Sequence, residues 1–187
     1  MWFKKQNTIK EEDILDAVSK MKEGSAEAFR ILYDAYGQKV YRYCLRLIGD
    51  TDVANDCFQE TFVKIYENRA HFKGTSFGAW LFKIAHNNCM NHLRSKKHTE
   101  EIQDVFFASD NVEADDYGLK KEIRKALQKL PEALREAIIL REYEDLSYYE
   151  IAEVLGIDIS LAKVRVFRAR TQLKNLLKPL VKELNES

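Results

Sequence analysis

A segment near the C-terminal end of the sequence, Leu146 to Leu173, has the pattern of two helices joined by a tight turn. Ser147 and Glu150 have the spacing of a capping box, in which the hydroxyl and the carboxylate satisfy the first free backbone N–H groups of a helix. Gly156 supplies the left-handed backbone that ends such a helix, and small Ala152 lets a second helix cross closely. The pattern predicts a helix-turn-helix.

The second helix of this pair is strongly basic. We predict that it runs from about Ser160 to Lys178 and stops before Pro179, because proline disfavours helical geometry in the residue before it. Long cations on a helix that follows such a turn suit the major groove of DNA. A solvated amphipathic helix is the alternative, since basic helix faces are common. The cations are Lys163, Arg165, Arg168, Arg170, Lys174 and Lys178.

Helical periodicity extends through most of the chain. The 187 residues include only two prolines and seven glycines, and apolar residues recur at helical spacing without alternating runs. A hydrophobic content of 45% suffices for one sizeable core or two small ones. We therefore predict an all-α fold of two small helical domains joined by an extended acidic linker, with the helix-turn-helix in the C-terminal domain.

The formal net charge is zero, but the charges are segregated, which gives separate acidic and basic surfaces. The first residues lack the apolar stretch of a signal peptide, and eighteen apolar residues never run together, so we expect a cytoplasmic protein. Cys44, Cys57 and Cys89 are odd in number and widely spaced. They are predicted to be small core residues rather than disulfide or zinc-ribbon cysteines.

No metal, cofactor or catalytic site is predicted. His86, Cys89 and His92 lie three residues apart on a helix, so their side chains drift over roughly 120° of its surface and converge poorly on one ion. The sequence has no nucleophile–base pairing, no phosphate-cradling glycine loop and no convergent carboxylates. A function in binding is favoured over catalysis.

The N-terminal part contains a candidate nucleic-acid face. Four helices are predicted, with starts near residues 14, 25, 51 and 77 and ends near Gly24, Gly49, residue 70 and Lys97. The loop from His71 to Phe77 mixes aromatic, hydroxyl and cationic side chains that either accept an unstacked base or fold back onto the core. The following helix has no acid between Lys83 and Lys97, and its residues expected to be exposed are Lys83, Asn87, Asn88, Asn91, Arg94, Lys96 and Lys97.

Two sets of motifs resemble one family. The run from Phe29 to Lys97, which includes AYGQKVYRYCLRLIGDTDVANDCFQETFVKIYENRAHFKG and WLFKIAHNNCMNHLRSKK, resembles region two of bacterial RNA polymerase sigma factors of the extracytoplasmic-function group. LPEALREAIILREYEDLSYYEIAEVLGI and KVRVFRAR are similar to region four of that family. The resemblance implies domains at residues 1–97 and 119–187 with a linker at residues 98–118, which is acidic and contains no Lys or Arg.

The resemblance implies two DNA-binding surfaces. In region two, the melted minus-ten strand would contact Phe72, Lys73, Asn87, Asn91, Arg94 and Lys96, whereas Trp80 is interpreted first as a core residue. In region four, the minus-thirty-five element would be recognised by Ser160, Lys163, Val164, Arg165, Phe167 and Arg168. The chain departs from the family at Ser160-Leu161-Ala162, where Gly-Thr-Val is usual, and at Val164, where Ser is common. These departures leave the promoter sequence open.

The resemblance also implies protein partners. The third helix would bind the clamp coiled coil of the largest polymerase subunit through Asp56, Gln59, Glu60 and Phe62, the last interpreted as an exposed aromatic. Asn55 stands where the family often has an acid. Region four would bind the polymerase flap. An anti-sigma factor is a further expected partner, and the free protein is expected to be a monomer.

Three functions remain open at this point. The first is a sigma factor that binds core RNA polymerase, directs it to promoters and assists promoter opening. The second is a stand-alone helix-turn-helix regulator, which would bind duplex DNA tightly by itself and usually as a dimer. The third is a sigma mimic that sequesters a regulator and supports no transcription.

Overall fold

The structure is a computed structural model that describes residues 11–74, 76–100 and 119–185. Over these ranges it contains eight α-helices and one short 3-10 turn, Arg69–His71, and no strand. The all-α prediction is confirmed. The helices are α1 Glu11–Lys22, α2 Ala26–Ile48, α3 Thr51–Asn68, α4 Phe77–Glu100, α5 Leu119–Gln128, α6 Glu132–Glu142, α7 Tyr148–Leu155 and α8 Ile159–Asn185.

Side-chain caps fix the starts of α2 and α3. The Ser25 hydroxyl accepts a hydrogen bond from the Ala28 N–H at 3.2 Å. The Asp50 carboxylate accepts from the N–H groups of the second and third residues of α3, both at 3.0 Å. Gly49, at φ +83°, ends α2 in the left-handed conformation. These local signals place three of the predicted boundaries within a residue or two.

The first four helices share an apolar core. Its fully buried side chains include Tyr43, Leu47, Ile65 and Leu81. All three cysteines are free and buried, as predicted. The apolar residues that predict the opening helix are Ile14, Leu15, Val18 and Met21. Of these, Val18 and Met21 are buried, whereas Leu15 is largely exposed.

The last four helices form the predicted helix-turn-helix and its support. The Ser147–Glu150 capping box is present, and Gly156 takes φ +63° at the end of α7. The apolar side of α8, Ala162, Val166 and Ala169, is buried against α6 and α7. The helix pair at the centre of the sequence interpretation is therefore confirmed.

Three boundaries differ from the sequence prediction. α8 continues through Pro179 to Asn185 instead of stopping at Lys178, because a proline inside a helix removes one hydrogen bond without necessarily ending it. α4 extends to Glu100, so residues 98–100 of the predicted linker are helical, while residues 101–118 lie outside the described ranges. Pro131, whose fixed φ suits the first helical position and which was predicted to occupy it, is instead the N-cap of α6.

The two helix groups, α1–α4 and α5–α8, pack against each other. α4 contacts α7, and α2 contacts α5 and α6. The buried apolar residues of both groups form one continuous cluster. The sequence left this arrangement open, and it brings the candidate DNA-binding loop of the first group beside the helix-turn-helix of the second.

Candidate nucleic-acid and protein interfaces

The outer face of α8 presents most of the residues predicted to recognise duplex DNA. Ser160, Lys163, Val164 and Arg168 are exposed, and Phe167 is the most exposed of the large apolar side chains at 70%. The Lys163 ammonium lies 6.0 Å from the centre of the Tyr148 ring. This surface combines cations with apolar groups. The helix itself carries no acid from Ile159 to Lys182, while Glu153 and Asp158 border Ser160 at its start.

Two arginines of α8 are held by carboxylates of the second helix group. Arg165 Nη1 lies 3.3 Å from Glu136 Oε1, and only 22% of the Arg165 side chain is exposed. Arg170 Nε donates to Glu142 Oε1 at 2.9 Å. Arg165, which the sequence placed among the DNA-binding residues, is therefore engaged within the protein in this arrangement.

The exposed side of α4 carries the amide and basic residues of the second candidate surface. Asn87, Asn91 and Arg94 are exposed, as is Lys83 one turn earlier. The backbone of Lys96 belongs to α4, but its side chain lies outside the described part. Three of the predicted residues therefore lie on one accessible face that is free of acids.

Asn88 was predicted to be exposed, and this is wrong. Its side chain is 1% exposed, donates to Thr61 Oγ1 at 3.1 Å and accepts from Lys64 Nζ at 2.6 Å. Thr61 in turn donates to the Cys57 carbonyl at 2.6 Å. The amide thus joins α4 to α3, because a buried polar group is stable only when its hydrogen bonds are made.

The loop before α4 presents little aromatic surface. Phe72 is buried, with its ring centre 5.0 Å from that of Trp80 and 5.9 Å from that of Phe77. The sequence left two possibilities for the aromatic residues of this loop: they accept an unstacked base, or they fold back onto the core. Phe72 folds back onto the core. Lys73 remains exposed, and Thr75 lies outside the described residues.

The face of α3 predicted to bind polymerase is exposed at Asp56 and Gln59 and partly exposed at Glu60. The interpretation of Phe62 as an exposed aromatic is wrong. Its side chain is 5% exposed and packs against Tyr33 and other aromatic rings of the core. The exposed apolar residue of this face is Val63, at 54%, which the sequence interpretation missed.

Glu60 has two partners within its own helix group. Lys64 Nζ lies 2.7 Å from Glu60 Oε1, and His92 Nε2 lies 3.7 Å from Glu60 Oε2. A cationic partner of Glu60 must therefore compete with these two groups, whereas Asp56 forms no ion pair with any side chain that the structure describes.

A cluster of buried ionisable groups lies where the two helix groups meet. His86 of α4 has its Nδ1 3.3 Å from the Tyr43 hydroxyl and 3.6 Å from Glu136 Oε2. Burial lowers the pKa of His86 to about 4 and raises the pKa of Glu136 to about 7. At neutral pH His86 is therefore uncharged, and its contact with Glu136 is not an ion pair.

A second part of this interface pairs Arg46 of α2 with Glu144, at 3.6 Å. The Arg46 guanidinium also lies 3.9 Å from the centre of the Tyr143 ring. Burial raises the pKa of Glu144 to about 7, and its Oε2 atom is buried without a hydrogen bond from any described group. The sequence does not predict these contacts, because the paired residues are far apart along the chain.

Glu150 links the helix-turn-helix to the loop before α4. Its Oε2 atom accepts from the Ser147 N–H at 2.9 Å, which completes the capping box, and its Oε1 atom accepts from the Ser76 hydroxyl at 2.7 Å. Ser76 also accepts from the Ala79 N–H at 3.2 Å, which caps α4. One carboxylate thus joins the N-terminal ends of two helices in different groups.

The residues once considered as metal ligands have separate partners. His86 faces Tyr43 and Glu136, whereas His92 faces Glu60. Cys89 lies against the other two cysteines, and the surrounding thiols and burial raise its pKa. In the part of the chain that the structure describes, no group of three or more His, Cys, Asp or Glu side chains is arranged to hold a metal ion.

Comparison with known proteins identifies the family. Residues 32–99 match the family described as Sigma-70 region 2, and residues 120–173 match Sigma-70, region 4. The ECF RNA polymerase sigma-E factor of Haemophilus influenzae is 31% identical over 182 residues, which cover 88% of this chain and 95% of the relative. The chain belongs to the extracytoplasmic-function sigma factors. It is a sigma factor that directs RNA polymerase in transcription initiation, with core polymerase and promoter DNA as its partners.

Other relatives agree with this assignment. The RNA polymerase sigma-H factor of Pseudomonas aeruginosa is 33% identical to this sigma factor over 182 residues, covering 89% of this chain and 94% of the relative. The sigma factor RpoE of Bartonella quintana, solved with the anti-sigma factor NepR, has a TM-score of 0.74 at 30% identity and covers 82% of this chain and 98% of its own. CnrH, solved with the cytosolic domain of CnrY, shares the fold with a TM-score of 0.70 at 24% identity, covering 89% and 98% of the two chains.

One further observation concerns membranes. None of the helices in the described ranges has the length and apolar character needed to cross a bilayer.

Proposed function

We propose that this sigma factor recognises a two-part promoter with two separate surfaces. The α4 face with Asn87, Asn91 and Arg94 would contact the melted minus-ten strand. The outer face of α8 would contact the minus-thirty-five element as duplex. The observation that carries the proposal is that each helix group exposes one helix face of cations and hydrogen-bonding or apolar groups, on a stretch of helix that itself contains no acid. Such a face suits nucleic acid.

We assign a separate binding function to each proposed domain. Residues 1–97 would bind polymerase and the minus-ten element, residues 119–187 the minus-thirty-five element and the polymerase flap, and residues 98–118 would connect them. The continuation of α4 to Glu100 moves the start of the connection by a turn at most. Lys73 and Lys96 remain proposed contacts to the minus-ten strand, while buried Phe72 would support the loop from below.

The clamp-binding surface is proposed to lie on α3 around Asp56, Gln59 and Glu60. Val63 replaces Phe62 as its apolar member, because a 54% exposed valine beside carboxylates and an amide offers the mixed character of a protein interface. The acidic side chains would pair with a basic helical hairpin of the polymerase.

The remaining parts of the proposal concern catalysis, location, oligomeric state and a further partner. The protein would act by binding and positioning, without catalysis and without a metal or other cofactor. It would be a cytoplasmic monomer when free, since its work is with RNA polymerase and DNA. An anti-sigma factor is a proposed partner, supported by the complex in which the similar Bartonella sigma factor was solved.

The decisive experiment is run-off transcription with purified bacterial core polymerase on genomic promoter fragments, with and without the protein. Promoter-specific transcripts that require the protein are the expected result. Tight duplex binding by the protein alone, combined with no transcript from any fragment, would instead support a stand-alone regulator. A sigma mimic would bind its regulator and give neither result.

Variants of α8 test the assignment of surfaces. Arg168→Ala and Lys163→Ala should weaken recognition of the minus-thirty-five element and leave the affinity for core polymerase unchanged, because both side chains lie on the exposed face of α8. Leu176→Ala, on the same helix about 12 Å beyond Arg168 and about 20 Å beyond Lys163, is the matched control. Loss of polymerase binding in the first two variants would contradict the proposed division between the domains.

A further inference from the structure

The exposed face of α8 has an apolar centre, which is unusual for a helix expected to bind DNA through its charges. Residues in an α-helix advance by about 100° around the axis. Measured this way, Val164 lies roughly opposite the buried stripe of Ala162, Val166 and Ala169. Phe167 lies about 60° from Val164 on the same outward face. The middle of the outward face therefore carries one valine and one phenylalanine, with exposed Ser160 and Thr171 about one turn before and after them.

Two exposed cations of α8 flank this apolar centre. Lys163 lies about 100° to one side of Val164, and Arg168 about 40° to the other. Both are exposed, and neither pairs with a carboxylate among the side chains that the structure describes. They are available for the phosphates on either side of a groove, where lysine and arginine provide most of the affinity for DNA.

The remaining arginines of the helix point back toward the protein. Arg165 lies nearer the buried stripe and is paired with Glu136, and Arg170 is paired with Glu142. A guanidinium that donates to a partly buried carboxylate cannot form a bidentate contact with guanine unless that pair breaks. In this arrangement Arg165, whose carboxylate partner is only 10% exposed, is therefore a poor candidate for base recognition, whereas the pair of Arg170 with Glu142 is exposed on both sides.

We propose that Val164 and Phe167 recognise the 5-methyl groups of thymines in the upstream promoter element, with Lys163 and Arg168 on the flanking phosphates. Among the major-groove edges of the four bases, only thymine presents a methyl group, and apolar side chains are the groups that contact it. The proposal rests on the proposed function, since it specifies what the α8 surface selects. Specificity at these positions then comes from apolar contact and not from arginine–guanine pairing.

The test uses holoenzyme assembled from core polymerase and the full chain, on a promoter found by run-off transcription. Each thymine of the upstream element is replaced in turn by deoxyuridine, which removes only the methyl group and keeps the base pair. At one or two positions the affinity of the wild-type holoenzyme should fall about fourfold, the factor expected for one buried methyl group.

Protein variants assign the effect to the two residues. Val164→Ala and Phe167→Ala holoenzymes should bind the thymine promoter more weakly and lose most of the difference between thymine and uracil. Leu176→Ala is the matched control, since Leu176 is about as exposed as Val164, at 39% against 42%, and should keep the full difference. All three side chains are at least 39% exposed, so these truncations should leave the fold intact.

Two outcomes overturn the inference while the proposed function stands. One is an unchanged affinity when every thymine of the element is replaced, in a system where transcription still depends on the protein. The other is a uracil effect that persists in both the Val164→Ala and Phe167→Ala holoenzymes, which would assign methyl recognition to other residues. If the protein supports no promoter-specific transcription, the proposed function fails, and this inference fails with it.

Discussion

Neighbouring side chains on α3 and α4 have opposite surroundings, and this difference decides which residues are available to partners. Asn87 is exposed and Asn88 is buried between Thr61 and Lys64. Phe62 is likewise buried beside exposed Val63. Because one step along a helix turns a side chain by about 100°, a single position separates a structural role from a binding role.

The two asparagines give a direct test. Asn88→Ala should lower the free energy of unfolding by about 1–3 kcal/mol, because it removes the buried hydrogen bonds that the amide makes with Lys64 and Thr61. Asn87→Ala should change it by no more than about 0.5 kcal/mol, since its side chain is exposed. Urea unfolding of both variants measures the difference. Equal effects would mean that the hydrogen bonds of Asn88 contribute nothing net.

A second pair distinguishes packing from polymerase binding. Phe62→Ala should destabilise the protein by about 3–5 kcal/mol, since it removes a buried ring from an aromatic cluster. Val63→Ala should leave stability nearly unchanged and weaken the affinity for core polymerase in a titration with labelled protein. Unimpaired polymerase binding by Val63→Ala would remove this residue from the proposed interface.

Helix boundaries are the part of the fold that the sequence predicted best, because they depend on local chemistry. The capping box at Ser147 and the glycine at position 156 are each identified by one or two neighbouring residues. The helical spacing of Phe58, Phe62 and Ile65 places Phe62 on the apolar side of α3. The structure agrees with this local spacing and not with the exposed role that the resemblance implied for Phe62. Local patterns were weakest at Pro179, where tertiary context decides whether a helix continues.

The turn of the helix-turn-helix is testable in the same terms. A Cβ atom at Gly156 would have no neighbour within 4 Å, so the cost of a substitution comes from the backbone angle of +63° alone. Gly156→Ala should therefore cost about 1 kcal/mol, whereas Gly156→Asn should cost less, because asparagine tolerates the left-handed conformation. Urea unfolding compares the two, and a larger cost for asparagine would mean that a different constraint acts at this turn.

The contacts between helix groups could not be predicted from the sequence. Arg46 and Glu144, or Ser76 and Glu150, are brought together only by the packing of α2 and α4 on the second group. Neither member of either pair has a neighbour in sequence that indicates its partner. The placement of the two candidate DNA surfaces relative to each other was inaccessible for the same reason.

The packed arrangement is too small to contact both promoter elements at once. Minus-ten and minus-thirty-five sites are separated by about 25 base pairs, or about 85 Å of duplex, whereas a compact chain of 187 residues has a radius of gyration of about 16 Å. The chain between residues 100 and 119 reaches at most about 60 Å when fully extended. Two-site recognition therefore requires α1–α4 and α5–α8 to separate.

Separation is measurable with spin labels at exposed sites, Glu67→Cys on α3 and Glu153→Cys on α7, because the native cysteines are buried. Pulsed dipolar spectroscopy should give one short distance in the free protein and a longer one in the promoter-bound holoenzyme. Ser76→Ala, which removes the hydrogen bond to Glu150, should broaden the distribution in the free protein. An unchanged distance in the holoenzyme would mean that the two groups work without separating.

The buried carboxylates of this interface make its strength depend on pH. Burial raises the pKa of Glu136 and Glu144 to about 7 in the packed form, from an ordinary value of about 4.5 when they are exposed. Between these two pH values, packing of the helix groups therefore takes up protons. His86 acts in the opposite direction, because burial lowers its pKa to about 4 from about 6.5, so packing releases its proton. This release balances the proton uptake of only one of the two glutamates, and only below about pH 6.5. Packing should therefore weaken as pH rises from about 6.5 to 8.

The same pair of labels measures this effect in the free protein as the fraction in the short-distance population. That fraction should fall as pH rises through 7. Glu144→Gln should reduce the pH dependence and keep the packed form at pH 8, because an amide stays neutral at the buried position. Glu27→Gln, at an exposed site on α2, is the matched control and should behave as the wild type. A fraction that rises with pH would mean that the ionised carboxylates, paired with Arg46 and Arg165, hold the helix groups together.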